Sequence, residues 1–166
     1  MSKPHLRHFL KDKEARALLN EISPGLRSAL TNVFSGETML EVVEAMFGQV
    51  FLANSRPLLF KKGNRVYPTL LFKEYFDVAP KVVVDMGAVP FVCKGADVMR
   101  PGIVRFDGDF KSGDCVYVVD VNHGKALVLG EAVLDKAVAE SAKQGVVLRN
   151  IHFVGDKIWD FAKQLL

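Results

Sequence analysis

Residues that cross-link chains or bind metals are scarce in this sequence. It contains only two cysteines, Cys93 and Cys115, which lie in separate apolar segments and form no CxxC pair. The four histidines are spread along the chain, at His5, His8, His123 and His152. Because four-ligand metal sites rarely lack a close pair of ligands, the sequence predicts reduced thiols, no disulfide framework and no metal site.

Signatures of catalysis are also missing. There is no GxSxG, GxxxxGK(S/T) or GxGxxG segment, so neither a nucleophile elbow nor a phosphate-binding or dinucleotide-binding loop is indicated. The acidic pair Asp107 and Asp109 in FDGDF is typical of a turn between strands. We therefore predict a protein that is not an enzyme and that needs no cofactor.

Long apolar runs and a strong net charge are absent as well. Apolar stretches end well before the ~18 residues that would span a membrane, and the N-terminus lacks the apolar core of a signal peptide. The formal net charge of +3 is too small for a protein that coats nucleic acid, so any anion-binding surface must be a local cluster of cations. With 49% hydrophobic residues the chain can bury a core, and we expect a cytoplasmic protein without a membrane contact.

The first half of the chain predicts two helices followed by short strands. Apolar residues at i, i+3, i+4 and i+7 predict a helix from about Asp12 to Glu21. Ser23 followed by Pro24 is typical of a helix start and predicts a second helix that ends near Phe34. The β-rich runs that follow are MLEVVEAMF, QVFLAN, RPLLFK and RVYPTLLF, of which the first is also compatible with a helix.

The second half predicts a small barrel. We place the boundary in FDVAPK, because Pro80 follows a charged break, and this gives domains of residues 1–78 and 79–166. Five strand candidates follow at regular spacing: VVVDMGAVPFV, GIVRF, DCVYVVDV, KALVLGEAV and NIHFVG. DCVYVVDV is apolar on both faces, which predicts a strand that is covered on both sides. LDKAVAESAKQG indicates a short helix or an ordered loop.

One segment between two apolar runs, FVCKGADVMRPGIV at residues 91–104, has glycines and cations in its middle. Together with the strands around it, the segment resembles the PUA domain, the RNA-binding pseudobarrel of pseudouridine synthases and archaeosine transglycosylases. The resemblance is carried by VDMGAVPFVCKGADVMRPGIV, GDCVYVVD, GKALVLGEAV and NIHFVGDKIWD. It implies that the first strand runs into a glycine-bearing turn and a short helix.

The resemblance places an RNA groove along this short helix and the last strand. The first amide N–H groups of a helix can hold an anion, and Gly95 would let the RNA backbone approach without a Cβ in the way. The residues implicated are Lys94, Gly95, Ala96, Arg100, Gly102, Arg149 and His152. A plainer interpretation stays open, in which the glycines shape a turn, the cations are solvated, Asp97 caps the helix and His152 packs within its strand.

Residues 66–103 also resemble the malignant T-cell-amplified-sequence family of translation factors. They share YPTL, the turn from Gly95 to Gly102, and a DKGA-like strand start that reads DMGA here, with Met86 in place of lysine. The resemblance implies an α+β fold, with an N-terminal α/β pre-PUA domain followed by a small mostly-β PUA pseudobarrel.

This family resemblance also carries functional expectations. It implies that the chain binds rRNA or tRNA and acts on the small ribosomal subunit in initiation, reinitiation or recycling. A protein partner is expected to supply the start-codon-sensing domain, since none precedes the chain's end at Leu166. The alternative function is that of a stand-alone PUA accessory protein for tRNA or rRNA modification.

A second basic surface is predicted in the first half. KKGNR indicates a hairpin tip, with the cations Lys61, Lys62 and Arg65 beside Phe60 and Tyr67. Cations mixed with aromatic rings are common on RNA-binding surfaces. The same segment is also compatible with a solvated hairpin whose lysines protect a sheet edge.

Overall fold

The computed structural model describes residues 6–34 and 39–166, so His5 lies outside the described residues. The chain forms two compact units. The first contains the residues up to Tyr75 together with Asp160–Leu166, and the second is Phe76–Trp159. The boundary between residues 78 and 79 inferred from the sequence stays a prediction; the compact units divide three residues earlier, and the last seven residues group with the first unit.

The first unit begins with the two predicted helices. Helix α1 is Asp12–Glu21 and helix α2 is Pro24–Val33, which confirms both. The Ser23 hydroxyl accepts a hydrogen bond from the backbone N of Leu26 at 3.3 Å, as expected of an N-cap. The buried residues of these helices lie on one apolar face of each: Leu18, Leu26, Ala29 and Leu30.

An antiparallel sheet completes the first unit. Its strands, in spatial as well as chain order, are β1 (Arg7–Phe9), β2 (Leu40–Ala45), β3 (Gly48–Ala53), β4 (Arg56–Lys62) and β5 (Arg65–Pro68). The ambiguous MLEVVEAMF run is thus a strand over β2. Gly63 takes φ +62° at the predicted hairpin tip, and Pro68 lies on the edge strand, where its missing N–H costs no ladder bond.

The second unit carries a mixed six-stranded sheet in the order β7-β11-β10-β9-β6-β8. The bounds are β6 (Lys81–Val84), β7 (Val98–Met99), β8 (Ile103–Asp107), β9 (Cys115–Asp120), β10 (Ala126–Ala132) and β11 (Val146–Phe153). Strands β7 and β8 form opposite edges, yet only the 3-10 turn Arg100–Gly102 separates them in sequence. The sheet must therefore curl on itself, which confirms the mostly-β pseudobarrel.

The remaining helices are short, with α3 at Lys73–Phe76, α4 at Val89–Val92, α5 at Lys136–Ser141 and α6 at Lys157–Gln164. No helix among the described residues is long and apolar enough to cross a membrane. Helix α5 lies within LDKAVAESAKQG, for which the sequence indicated a short helix or an ordered loop.

The prediction of one strand over VVVDMGAVPFV is wrong. Only its first residues belong to β6, and the chain then turns and forms α4. Asp85 accepts a hydrogen bond from the backbone N of Ala88 at 2.9 Å, and Pro90 lies in the first turn of the helix, where its missing N–H costs nothing. These two local signals outweigh the β-propensity of the surrounding valines.

The core of the second unit is built largely from valines of the curled sheet. On β9, Val116, Tyr117 and Val118 are fully buried and Val119 nearly so. Both faces of β9 are therefore covered, as the sequence predicted. This packing holds β6 and β10 on either side of β9 and fixes the segment that leads into α4.

Candidate nucleic-acid interface

The turn after α4 is held by the last strand of the sheet. The side-chain amide of Asn150, on β11, donates from Nδ2 to the carbonyl oxygens of Val92 and Ala96, both at 2.9 Å. The backbone N of Asn150 donates to Oδ1 of Asp97 at 3.0 Å. Asp97 therefore ties the turn to β11, and the interpretation of Asp97 as a helix cap is wrong.

Gly95 lies at the carboxyl end of α4, not before its start. Its backbone N donates to the carbonyl of Val92 at 3.2 Å, whereas the helix begins six residues earlier at Val89. The predicted anion site, made of free N–H groups at a helix start next to Gly95, is therefore wrong. The turn presents its own backbone instead, with Lys94, Gly95 and Ala96 all exposed.

Gly95 has an internal reason to be glycine. Its φ is +100°, which L side chains rarely adopt, and a Cβ at this position would lie 3.2 Å from Cε1 of Phe153. Gly145 has a nearly identical φ of +98° but nothing within 4 Å of its Cβ position. A side chain at either glycine would strain the backbone, but only a side chain at Gly95 would also crowd a neighbouring ring. Comparing substitutions at the two positions therefore separates the two effects.

We expect Gly95→Ala to lower the free energy of unfolding more than Gly145→Ala. Both variants carry the cost of a left-handed residue, about 1–2 kcal/mol, and only Gly95→Ala also displaces the Phe153 ring. Urea unfolding of both variants measures the difference. Equal losses would show that Phe153 moves away freely and does not fix the turn. A Phe153→Leu background should reduce the excess loss of Gly95→Ala.

The guanidinium of Arg100 makes hydrogen bonds within the second unit. Its Nε donates to the carbonyl of Ala139 at 2.8 Å and its Nη1 to that of Ile103 at 3.0 Å. The guanidinium carbon lies 5.2 Å from the centre of the Phe106 ring. Arg100 is thus not the solvated cation that the plainer interpretation described, and a phosphate would have to displace two carbonyl acceptors. Nearby Gly102 is half-buried, and its Cβ position would lie 3.0 Å from Cβ of Ala88.

The two residues predicted on the last strand differ in exposure. The Arg149 side chain is 63% exposed and its Nη2 lies 2.8 Å from Oε1 of Glu131. Glu131 is largely buried, with its side chain only 11% exposed, so a phosphate at Arg149 would have to compete with this carboxylate for the guanidinium. His152 is fully buried, with Nδ1 2.9 Å from Oδ2 of Asp156. Stacking of His152 on a base is therefore excluded in this structure, and the residue packs within the strand.

The His152–Asp156 pair makes a pH-dependent contribution to stability. Oxygens of Asp156 also accept the backbone N–H groups of Phe153 and Trp159. Burial opposes ionisation of this carboxyl, but the hydrogen bonds from His152 and the two amides outweigh burial and hold the pKa of Asp156 below its ordinary value.

A carboxyl with a depressed pKa stabilises the fold above its unfolded-state pKa, and the stability is lost as the pH falls through the lower folded-state value. We expect the stability difference between the parent and Asp156→Asn to stay constant down to about pH 5 and to shrink below about pH 4, since unfolded aspartate titrates at about 3.9. Urea unfolding at a series of pH values tests this. A difference that is unchanged at about pH 3 would contradict the assignment.

In the predicted basic hairpin, the cations lie at the surface but the aromatic rings do not. Lys62 and Arg65 are exposed and Lys61 is half-buried. Phe60 and Tyr67 stack on each other at 5.5 Å and are both buried. These rings therefore pack in the first unit's core, and the expectation that they support RNA stacking is wrong. The Arg65 guanidinium lies 5.0 Å from the centre of the Tyr67 ring.

Among residues 6–34 and 39–166, no three His, Cys, Asp or Glu side chains are grouped so as to hold a metal ion. Both cysteines are free thiols, and burial raises the pKa of the Cys93 thiol. Cys93 is therefore poorly suited to act as a thiolate nucleophile.

Comparison with known proteins identifies two families along the chain. Residues 80–154 match the model of the PUA domain, and residues 6–75 match a domain of unknown function, DUF1947. Among solved structures, a hypothetical protein from Pyrococcus horikoshii OT3 has a TM-score of 0.79 at 28% identity, over 95% of this chain and 99% of that one. A PUA domain structure from Aeropyrum pernix K1 has a TM-score of 0.78 at 25% identity, over 98% of this chain and 93% of that one.

Three relatives are similar over most of their length. An uncharacterized protein of Methanocaldococcus jannaschii is 36% identical over 93% of this chain and 96% of that protein. Translation machinery-associated protein 20 of Saccharomyces cerevisiae is 25% identical over 95% of this chain and 93% of that protein. Malignant T-cell-amplified sequence 2 of Mus musculus is 29% identical over 89% of this chain and 84% of that protein.

Proposed function

The chain belongs to the family of proteins in which a DUF1947 domain precedes a PUA domain, and we propose on this basis that it is a non-catalytic RNA-binding factor of the translation machinery. The observation that carries the proposal is the similarity to Translation machinery-associated protein 20, which extends over both units of the fold. We further propose that it works in the cytoplasm.

The finer proposal concerns the site of action. We propose that the protein binds the small ribosomal subunit, through rRNA or a bound tRNA, during initiation, reinitiation or recycling. A partner protein would supply the start-codon-sensing domain. The protein's own part would be to bind and orient RNA, because the groups around the α4 turn offer hydrogen bonds and charge but no paired nucleophile and base.

The proposed RNA contact is the exposed turn Lys94–Ala96 together with Arg149 on β11. Backbone groups of the turn and these two cations suit a phosphate backbone, which is bound mainly through charge and hydrogen bonds. Arg100, Gly102 and His152 do not contact the RNA in this proposal; their internal hydrogen bonds and packing hold the surface in place. The hairpin cations Lys61, Lys62 and Arg65 are proposed as a second contact on the first unit.

RNA affinity should depend on salt. If about three to five cations meet phosphates, the slope of log affinity against log salt is expected to lie at roughly −2 to −5. Lys94→Ala should make this slope shallower by about 0.7–0.9, the loss of one phosphate contact, and should weaken binding a few-fold. Fluorescence anisotropy with a single-stranded RNA at several salt concentrations measures both quantities.

Lys111→Ala is the matched control, because Lys111 is an exposed lysine between β8 and β9 and should leave the slope unchanged. An identical slope for the parent and Lys94→Ala would show that Lys94 makes no phosphate contact.

Sedimentation through a sucrose gradient tests the site of action. Added to ribosomal subunits, the protein should travel with the small subunit at low salt and leave it at high salt. Sedimentation with neither subunit, together with recovery in tRNA-modifying complexes, would overturn the proposal in favour of a modification accessory.

A further inference from the structure

A cavity lies in the first unit, between α1 and strands β1 to β4. Its volume is ≈ 320 Å³, within the roughly 300–1,000 Å³ typical of small-ligand pockets. All of its lining residues belong to the first unit, and Lys61 is the one residue it shares with the surfaces proposed above to bind RNA. The cavity is therefore a separate feature of the chain.

The floor of the cavity is apolar. Leu18 of α1, Val42 of β2 and Phe51 of β3 line it and are all buried in the core of the unit. Ala17, on the exposed part of α1, also lines the cavity, and its single methyl group leaves space that a longer side chain would fill. This floor suits an aliphatic chain, because contact with it removes apolar surface from water.

The rim of the cavity is acidic. Glu14, Glu21 and Glu44 line it, against Lys61 as its only lysine or arginine, and His8 lines it as well. With His8 counted as neutral, three carboxylates and one ammonium group leave an excess of two negative charges. The chain as a whole carries +3, so this rim is a local reversal of sign that favours a ligand with at least two positive charges.

The three carboxylates of the rim are available to a ligand. None of them forms an ion pair with a cation of residues 6–34 and 39–166. Glu14 accepts the backbone N of Lys11 with Oε1 at 3.1 Å, and Glu44 accepts Nε2 of Gln49 with Oε1 at 2.7 Å. A carboxylate can accept further hydrogen bonds beyond one of this kind.

The spacing of the carboxylates indicates an extended ligand. Glu14 and Glu21 are seven residues apart on α1, which places them about 10 Å apart along one face of the helix. Ala17 and Leu18 lie between them, and Glu44 lies on the sheet side of the cavity. Negative charges are thus separated by apolar surface.

This spacing does not suit a single metal ion. Oxygen ligands lie about 2.0–2.6 Å from a bound Mg²⁺ or Ca²⁺ and must converge on one point. In the part of the chain that the structure describes, no three His, Cys, Asp or Glu side chains converge in this way. The fitting ligand carries its positive charges on separate atoms that are joined by an apolar chain.

We propose that this cavity binds an aliphatic polyamine such as spermidine. The methylene chain lies on Leu18, Val42 and Phe51, and the ammonium groups donate hydrogen bonds to the carboxylates of Glu14, Glu21 and Glu44. The inference goes beyond the proposed function and does not depend on RNA binding, since it concerns the protein alone.

The first test is an NMR titration of the protein without RNA, because polyamines also bind RNA phosphates. Spermidine should shift the backbone amides of residues 14–21 and 44–49 in a saturable way. Hexamethylenediamine and hexylamine have the same carbon chain but two ammonium groups and one, so the diamine should bind about two- to fivefold more tightly, as expected for one exposed ion pair. Mg²⁺ has the charge of the diamine without its chain and should cause no saturable shift.

The second test changes the charge of the rim in both directions. Glu14→Gln and Glu21→Gln should each weaken spermidine binding about two- to fivefold, and glutamine at position 14 keeps an acceptor for the backbone N of Lys11. Lys61→Met removes the opposing charge and should strengthen binding by a similar factor. The controls are Glu140→Gln on α5 and Lys62→Met outside the lining, both exposed, which should leave binding nearly unchanged.

The third test fills the cavity. Ala17→Leu should abolish spermidine binding, whereas Ala137→Leu, at an exposed alanine of α5, should not change it. If Ala17→Leu does not fold, the charge variants above still decide the question.

Several results would overturn the inference. Equal binding of hexylamine and the diamine would show that the carboxylates select nothing, and equal shifts with Mg²⁺ would show a diffuse attraction of counterions. Normal spermidine binding by Ala17→Leu would place the polyamine elsewhere. Shifts of residues 14–21 with a lysine-rich peptide but not with spermidine would also contradict the proposal and favour a basic segment of a protein partner.

Discussion

Replacing Arg100 with alanine should lower the free energy of unfolding by about 2–3 kcal/mol. The substitution removes two hydrogen bonds from a charged donor, to Ala139 and Ile103, and the contact of the guanidinium with the Phe106 ring. These contacts join α5, the turn before β8 and β8 itself. Urea or thermal unfolding followed by circular dichroism measures the loss.

Arg105→Ala is the matched control. Arg105 lies on β8 as well, but its side chain is exposed and pairs with the exposed Asp107 at 2.9 Å. Solvent and salt screen such a pair, so little stability should be lost. If Arg100→Ala unfolded like the parent and instead lost RNA affinity, Arg100 would be a phosphate contact after all, and its internal hydrogen bonds would be dispensable.

Asn150→Ala should have an effect of similar size, about 2–3 kcal/mol. The carbonyls of Val92 and Ala96 each lose a hydrogen bond from the Asn150 amide, and the turn that contains Gly95 is released from β11. RNA affinity should fall as well, because a loosened turn must be ordered again on binding. Unfolding experiments and anisotropy with the same RNA measure both effects.

Asn122→Ala provides the comparison, since Asn122 is exposed in the loop after β9. It should change neither stability nor affinity. A stable Asn150→Ala with normal RNA binding would show that φ at Gly95 and the β7–β11 pairing suffice to hold the turn.

Elements with strong local signals could be predicted from the sequence. Ser23 and Pro24 indicated the start of α2, and Gly63 indicated the tip of the β4–β5 hairpin. The two apolar faces of DCVYVVDV predicted a strand that is covered on both sides. Each signal depends on residues within a few positions of one another. Local conformation and packing agree at these places, so the pattern alone was sufficient.

Prediction failed where local propensity and the fold disagree. VVVDMGAVPFV has the composition of a strand, but the turn in which Asp85 accepts from the backbone N of Ala88, together with the position of Pro90, leads its second half into α4. The sequence did contain both signals. The valines around them obscured their meaning, because β-propensity mostly reflects burial and context.

At the candidate interface, prediction from the sequence was limited by contacts between residues that lie far apart along the chain. Lys94 and Arg100 look alike in sequence, and only the fold shows that Arg100 reaches a carbonyl 39 residues away. Asn150, which holds the turn, was missed because its acceptors lie 54 and 58 residues earlier. His152 was implicated by its place on the last strand, and only the structure shows that it is buried. Contacts at such separations have no local signature.

The curled sheet described above has a consequence for the order of folding during synthesis. In the first sheet every strand pairs with the next along the chain, so its hairpins can close as soon as they leave the ribosome. Strand β7 must instead wait for β11, whose Leu148 lies about 50 residues after Val98, and closing so long a loop is slow. The Gly95 turn should therefore be among the last parts of the nascent protein to reach its final shape.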